Sequence, residues 1–252
     1  YQAGLYYLQE PSAMTPASRI PIEPGDRVLD LCAAPGGKAT AAGAALQGQG
    51  LLVANDISTS RARALLRNLE LFGIPNVFVA NETPAKLTKA FPEFFDKIIL
   101  DAPCSGEGMF RKEEALARDW TPEKSQELAA IQRELILQAA DMLRPGGQLL
   151  YSTCTFAPDE DEGVVSWLLE NRPDMELIEL PSYEGFTPGV PEWGNAPYAL
   201  CPSLPAHHAG RGTFHGIIPQ RGQNGSDRYH VLCKIERRHT QMAGAFSCGD
   251  RA

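Results

Sequence analysis

The chain has 252 residues, 43% of them hydrophobic and 21% charged, enough to bury the core of one large domain or of one domain with a small appendage. No run approaches the roughly 18 consecutive apolar residues of a membrane span, and the first residues lack the basic, apolar, small-residue order of a signal peptide. The net charge of -8 opposes simple electrostatic capture of nucleic acid, but unevenly: residues 1–200 carry 16 Lys and Arg against 28 Asp and Glu, residues 201–252 carry 7 against 3.

These figures lead to the expectation of a cytoplasmic protein with no membrane partner. The chain begins at Tyr1 in the middle of an apolar, Tyr-rich stretch, which reads as an N-terminally incomplete piece. Six cysteines lie far apart with no CxxC pair, so neither a zinc site nor a small disulfide framework is expected. His207, His208 and His215 fall in a Pro/Gly-rich stretch without paired ligand spacing, and no metal is expected there either.

In chain order, Val28-Leu29-Asp30-Leu31-Cys32 is a short apolar run that ends at the turn Pro35-Gly36-Gly37, and an Ala-rich helix follows from Lys38 to Leu46. Residues 51–56 repeat the strand pattern. Ser58 is the expected cap of a helix whose Ala62, Leu65, Leu66 and Leu69 recur at helical spacing up to Gly73. Asn76 to Ala80 reads as a third strand and Lys97 to Asp101 as a fourth. An amphipathic helix is predicted from Pro122 to Leu143, with Leu128, Ile131, Leu135, Ile136, Ala139 and Met142 on its buried side and Arg144-Pro145-Gly146-Gly147 closing it. Gln148 to Ser152 is the fifth strand. Such alternation predicts an α/β fold with a mostly parallel sheet, helices on both faces, and ligands at the carboxyl ends of the strands.

The informative residues sit at those ends. Asp30-Leu31-Cys32-Ala33-Ala34-Pro35-Gly36-Gly37-Lys38 is a strand that ends in small residues and opens a helix, a place where a ligand can touch backbone and a carboxylate or phosphate meets unpaired N–H groups. Taken alone as a glycine turn, it has simple tight packing as the lesser alternative. Asp56 closes the next strand about twenty residues on, where an acidic side chain commonly accepts the hydroxyls of a ribose, so a nucleoside-bearing cofactor is expected. The fourth and fifth strands run into Asp101-Ala102-Pro103-Cys104 and Tyr151-Ser152-Thr153-Cys154. Either cysteine singly would be read as a buried inert thiol; two at neighbouring strand tips are hard to explain by packing.

The segments CAAPGGK, DAPCSGEGMFRK and YSTCT, with QEPSAM at Gln9 to Met14, resemble the Sun/Nop family of RNA cytosine-C5 methyltransferases, most of all its RsmF-type branch acting on ribosomal RNA. The resemblance covers roughly residues 1–200. It implies a Rossmann-like class I fold with a seven-stranded sheet, S-adenosylmethionine as cofactor, and a monomer acting on RNA, ribosomal or transfer. It implies Cys154 as nucleophile on cytosine C6, Cys104 as the cysteine that assists release, and Asp101 against the cytosine ring edge. It further implies Cys32, Ala33, Ala34, Pro35, Gly36, Gly37 and Lys38 around the methionine end of the cofactor, Asp56 on its ribose, and Asn81 or Glu82 near its adenine. Phe110, Arg111 and Lys112 would meet phosphates or a neighbouring base, or form a solvated turn.

The family's catalytic domain ends in a strand of the type R-L-Y-P-H-x-x-x-G-E-G-H-F-x-A-L, whereas residues 201–218 read CPSLPAHHAGRGTFHGII. Back-translation of Arg211 to His215 read one base later permits E-G-H-F, so residues 201–252 are expected to be an atypical tail, either divergent or in a shifted reading frame. A shifted tail would leave the sheet without its last strand and with an unpaired edge. Three other readings compete with this one. An amine methyltransferase would want an Asn/Asp-Pro-Pro-aromatic turn at the fourth strand. A DNA cytosine methyltransferase would use Cys104 and leave Cys154 unexplained. A catalytically dead RNA-binding or assembly factor is opposed by the two intact cysteines and favoured by the atypical tail.

Overall fold

A computed structural model describes residues 3–9, 11–110, 113–178, 180 and 231–238. The strands are β1 (Arg27–Asp30), β2 (Leu51–Asn55), β3 (Val77–Ala80), β4 (Phe95–Asp101), β5 (Leu143–Thr153), β6 (Met175–Ile178) and β7 (Val231–Arg237). The helices are α1 (Pro11–Arg19), α2 (Gly37–Leu46), α3 (Thr59–Leu71), α4 (Pro84–Ala90), α5 (Glu114–Asp119), α6 (Pro122–Met142) and α7 (Glu162–Asn171), with a short 3-10 turn at Glu107–Met109. The strands form one sheet in the order β3-β2-β1-β4-β5-β7-β6, parallel from β3 to β5 and antiparallel where β7 enters. This is the mostly parallel, Rossmann-like α/β sheet that the alternation of elements predicts.

The central strands explain why. Ile98, Ile99 and Leu100 are all fully buried, as are Val28 with Leu29 and Leu149 with Leu150. Successive strand residues point to opposite faces, so such runs require cover on both. The order reverses between β1 and β4, which leaves the crevice beyond their carboxyl ends as the natural ligand site.

Four local expectations need correction. Ile131 is 48% exposed, and Gln132, fully buried, takes the inward position on α6. Its amide is used in hydrogen bonds described below, so a polar contact overrides the apolar period. Ser58 stands at the N-cap of α3 but makes no capping hydrogen bond with its side chain; the Asp56 carboxylate instead accepts from the Ser58 N–H at 2.9 Å. The turn at residues 144–147 lies inside β5: pairing with β4 jumps from Phe95 opposite Leu143 to Lys97 opposite Gln148, and the four residues between bulge out with Gly146 at φ 78°.

Finally, the sheet does not lack its last strand. β7, drawn from the atypical tail, pairs with β5 from Gln148 to Thr153 and with β6 from Met175 to Ile178. Arg237 anchors it through ion pairs to Glu93 and Asp174 and a hydrogen bond to the Leu143 carbonyl. The segment compared with the family's terminal motif, and His207, His208 and His215, lie outside the described residues.

Candidate active site

The loop after β1 is held open by its neighbours. Asn55, buried at the end of β2, donates to the carbonyls of Leu31 and Glu82 and accepts from the Glu82 N–H, tying together the loops after β1 and β3. From α3, Arg61 donates to the Ala34 carbonyl at 2.9 Å and Asn68 to the Pro35 carbonyl at 2.7 Å. Gly36 follows at φ 114°, a conformation that side chains with a Cβ rarely adopt. Those two carbonyls are thus held by α3, while the first N–H groups of α2 have no partner within their own helix. A Cβ on Gly37 would run into the side chain of Gln9, so the amino-terminal segment packs directly over this turn.

The crevice is rich in acid. Asp30 is fully buried, and neither of its oxygens has a hydrogen-bond partner at good geometry among the described residues. Burial, only partly offset by the Lys38 ammonium and a weak contact from the Cys32 N–H, pushes its pKa from 3.8 to about 7. Burial and the charges of Asp30, Asp101 and Asp56 push the Cys32 thiol up to about 12, which leaves it chemically silent. Lys38 is the buried cation of the group. Burial by itself would lower its pKa, but the Asp101 carboxylate, 2.6 Å from Nζ, outweighs that and holds it above the ordinary lysine value.

Asp30 makes the apo protein sensitive to pH. A carboxyl whose pKa rises on folding favours the folded state most below its unfolded pKa; stability falls as pH climbs from about 4 to about 7 and is then lost in full, by at most about 4 kcal/mol. Thermal melting across pH 4 to 8 is expected to show this decline in the wild type, and Asp30→Asn is expected to flatten it and to melt higher at pH 8. An unchanged slope in the variant contradicts it.

The other predicted cofactor contacts lie on the same rim. Asp56 is almost fully buried, with Arg61 3.2 Å from its Oδ2. Asn81 is occupied locally: it donates to the Asp56 and Ile57 carbonyls and accepts from the Thr59 hydroxyl. The Glu82 side chain turns to Lys86 on α4 at 2.7 Å. Asn81 and Glu82 therefore sit beside Asp56 but spend their side chains on bracing the turn and the helix.

Asp101, Cys104 and Cys154 come together at the tips of β4 and β5. Asp101 accepts from Lys38 on one oxygen and from the Ser152 hydroxyl, at 2.7 Å, on the other. The two cysteine sulfurs are 3.2 Å apart, and the Cys154 N–H donates to Cys104 Sγ at 3.3 Å. The hydrogen bond to Cys154, then burial, then the charge on Cys154 hold the Cys104 thiol well above its ordinary pKa. The contact between the two sulfurs is one in which either thiol can donate, and it favours the protonated form of Cys104.

Sequence reasoning missed the residues around this pair. Glu160, Asp161 and Glu162 are fully buried acids just beyond Cys154, a placement that composition argues against. Glu107 accepts from the Phe156 N–H and the Thr155 hydroxyl, and burial raises its pKa. Glu107, Phe110, Trp120 and Phe156 line a cleft of about 510 Å³ beyond the end of β5. Phe110 is thus placed near the site, while Arg111 and Lys112 lie outside the described residues. Among the described residues no cluster of His, Cys, Asp and Glu is arranged to hold a metal, and no helix is long and apolar enough to cross a membrane.

The chain has counterparts among known proteins. Ribosomal RNA small subunit methyltransferase F of Escherichia coli K12 is 45% identical over 181 residues, covering 71% of this chain and 38% of that protein, so the chain spans about two fifths of the length of the curated relatives it matches. NSun6 from Pyrococcus horikoshii, solved with SFG, gives a TM-score of 0.75 at 28% identity over 94% of this chain and 54% of that one. A methyltransferase homolog protein from the same organism gives 0.72 at 28% identity over 94% and 69% of the two chains. The family model for 16S rRNA methyltransferase RsmB/F matches residues 18–217, a span that holds the 32–38 loop, Asp56, Asp101 and both cysteines. The chain belongs to the RsmB/F family of 16S rRNA methyltransferases.

Proposed function

We propose that this chain is the catalytic part of a cytoplasmic, S-adenosylmethionine-dependent methyltransferase that modifies carbon 5 of a cytosine in RNA, small-subunit ribosomal RNA before transfer RNA, and works as a monomer. The observation that carries the reading is the pair of thiols 3.2 Å apart at the tips of β4 and β5, beside an acid-lined crevice. The E. coli relative named for small-subunit ribosomal RNA supports the substrate class, and SFG, an S-adenosylmethionine analogue, in the NSun6 structure supports the cofactor.

The crevice fits a cationic ligand. The buried Asp30 carboxylate has no good donor of its own, and the positive ammonium and sulfonium of S-adenosylmethionine are the charges that would relieve it. Residues 32–38 would hold the methionine end at the start of α2, Asp56 the ribose, and the Asn81–Glu82 corner would border the adenine. When bound, the cofactor supplies an electrophilic methyl group.

The protein must do the rest. Cytosine C5 is too weak a nucleophile to take that methyl directly, so the Cys154 thiolate adds to C6, forming an S–C bond and making C5 an enamine-like carbon. Asp101 lies where it would hold the ring edge as charge shifts onto it, with Lys38 and Ser152 fixing its two oxygens. Once C5 carries the methyl, its proton must leave and the S–C bond must break, returning Cys154 as thiolate.

Cys104 is poised for that step. Two of the three leading causes that keep it protonated, the hydrogen bond to Cys154 and the charge on Cys154, vanish when Cys154 is bonded to carbon. Its pKa falls at that moment, so Cys104 can release its own proton to water and, as thiolate, take the C5 proton while the electron pair of the breaking S–C bond returns to Cys154 Sγ.

The first 200 residues carry excess acid, so phosphate attraction contributes little in this region. The aromatic cleft of Phe110, Trp120 and Phe156 offers a stacking surface for a base next to the target. The reading is tested by incubating the protein with methyl-labelled S-adenosylmethionine and unmodified 16S ribosomal RNA or transfer RNA. Label at C5 of a 16S cytosine is expected; label on nitrogen, on oxygen or on transfer RNA alone contradicts it.

A further inference from the structure

Cys104 sits in an irregular turn after β4, where a backbone has few partners of its own, yet its sulfur must stay within 3.2 Å of Cys154. The turn is gripped on both sides. The Pro103 carbonyl before it accepts from the Gln132 amide of α6 at 2.8 Å, and the Ser105 N–H after it donates to Glu160 Oε2 at 2.9 Å. The same Gln132 nitrogen donates to Glu160 Oε2 at 2.8 Å, and the Ser125 hydroxyl donates to Glu160 Oε1 at 2.8 Å. The Ser105 and Thr155 hydroxyls meet at 2.7 Å, and the Tyr151 hydroxyl donates to the Glu160 carbonyl at 2.6 Å.

Glu160 is fully buried and its carboxylate meets three donors, all from groups next to Cys104 or on α6. Gln132 presents both amide N–H groups to acceptors and leaves its own Oε1 without a partner among the described residues, so its orientation is dictated by Pro103 and Glu160. Burying a carboxylate is costly, and three donors offset that cost here while holding the groups around Cys104 in one arrangement.

We propose that Glu160, acting through Gln132 and the Ser105 amide, is the positioning residue that sets Cys104 against Cys154 and so is needed for product release rather than for attack. The inference rests on the reading in which Cys104 releases the product. Attack by Cys154 needs only β5 and the crevice, whereas release needs the Cys104 turn. Loss of Glu160 therefore stalls the reaction after the covalent bond has formed.

The test compares Glu160→Ala, Glu160→Gln and Cys104→Ala with the wild type, each given S-adenosylmethionine and RNA and then run under denaturing conditions. Glu160→Ala is expected to lower turnover by about tenfold or more and to accumulate a protein–RNA adduct, as Cys104→Ala does. Glu160→Gln keeps an oxygen for the Ser105 and Gln132 donors and can donate to the Ser125 hydroxyl, so it is expected to restore most of the turnover and to remove the adduct. A Glu160→Ala protein that loses turnover without adduct, while Cys104→Ala traps one, overturns the proposal, because a merely destabilised fold loses both together.

If Cys104→Ala itself traps nothing, the release role of Cys104 falls, and the clamp is judged without RNA. In a Cys154→Ser background, alkylation of Cys104 by iodoacetamide, read by peptide mass, is expected to quicken about tenfold in Glu160→Ala as the turn loosens. An unchanged rate overturns the clamp.

Discussion

Cys154→Ala is expected to abolish methyl transfer, by on the order of 10^4-fold or more, while binding of S-adenosylmethionine is unchanged. The size of the effect follows from the other thiols. With Cys154 gone, burial and the Glu160 charge still raise the Cys104 thiol, and burial with three nearby carboxylates pushes Cys32 up to about 12, so neither readily supplies a thiolate in place of Cys154. Without addition at C6 the C5 carbon remains unreactive, and positioning by Asp101 cannot replace a missing bond. Single-turnover transfer of labelled methyl, together with cofactor titration by calorimetry, measures both quantities. A loss of only about tenfold would mean that some other group attacks.

Lys38→Met should have the largest effect on the folded protein itself. Lys38 is 9% exposed and its ammonium lies between Asp101, at 2.6 Å, and the buried Asp30. The Asp101 side chain is 27% exposed, so removing the ammonium strands a part-solvated carboxylate beside the buried Asp30 and costs about 1–3 kcal/mol. In Lys38→Met, Asp30 also loses the ammonium that lowers its pKa, so it is driven further toward its neutral form. Denaturant unfolding at pH 8 is expected to report a drop of this order, smaller at pH 5, where protonation has already removed part of the strain. The double variant Lys38→Met/Asp101→Asn should recover part of the loss, since it deletes the stranded charge. A drop independent of pH and unrelieved by the second substitution contradicts the electrostatic account.

Much of the fold was legible in the chain because its central strands are buried on both faces and therefore read as unbroken apolar runs, as in Ile98-Ile99-Leu100. The site was legible for a related reason: Cys32 to Lys38, Asp101, Cys104 and Cys154 all sit where such runs stop. β7 was hidden because its pairing with β5 and β6 joins segments more than fifty residues apart, and a strand inserted antiparallel leaves no mark in the alternation of helices and strands. Helical spacing chose Ile131 over Gln132 because period alone cannot see that Pro103 and Glu160 need a donor. Glu160, Asp161 and Glu162 were passed over because acids rarely enter a core, and only the three donors around the Glu160 carboxylate show why one of them is there. Asn81 could be placed near Asp56 by sequence, but not its use in holding the Asp56 and Ile57 carbonyls.

The central claim is that Cys154 bonds to the cytosine and Cys104 lets it go, and the most direct measurement is mass spectrometry of the Cys104→Ala protein after reaction with S-adenosylmethionine and RNA. The account predicts a nucleotide carrying the new methyl group and linked to the peptide that contains Cys154. A methylated RNA released freely by Cys104→Ala, or an adduct on any other residue, would contradict it.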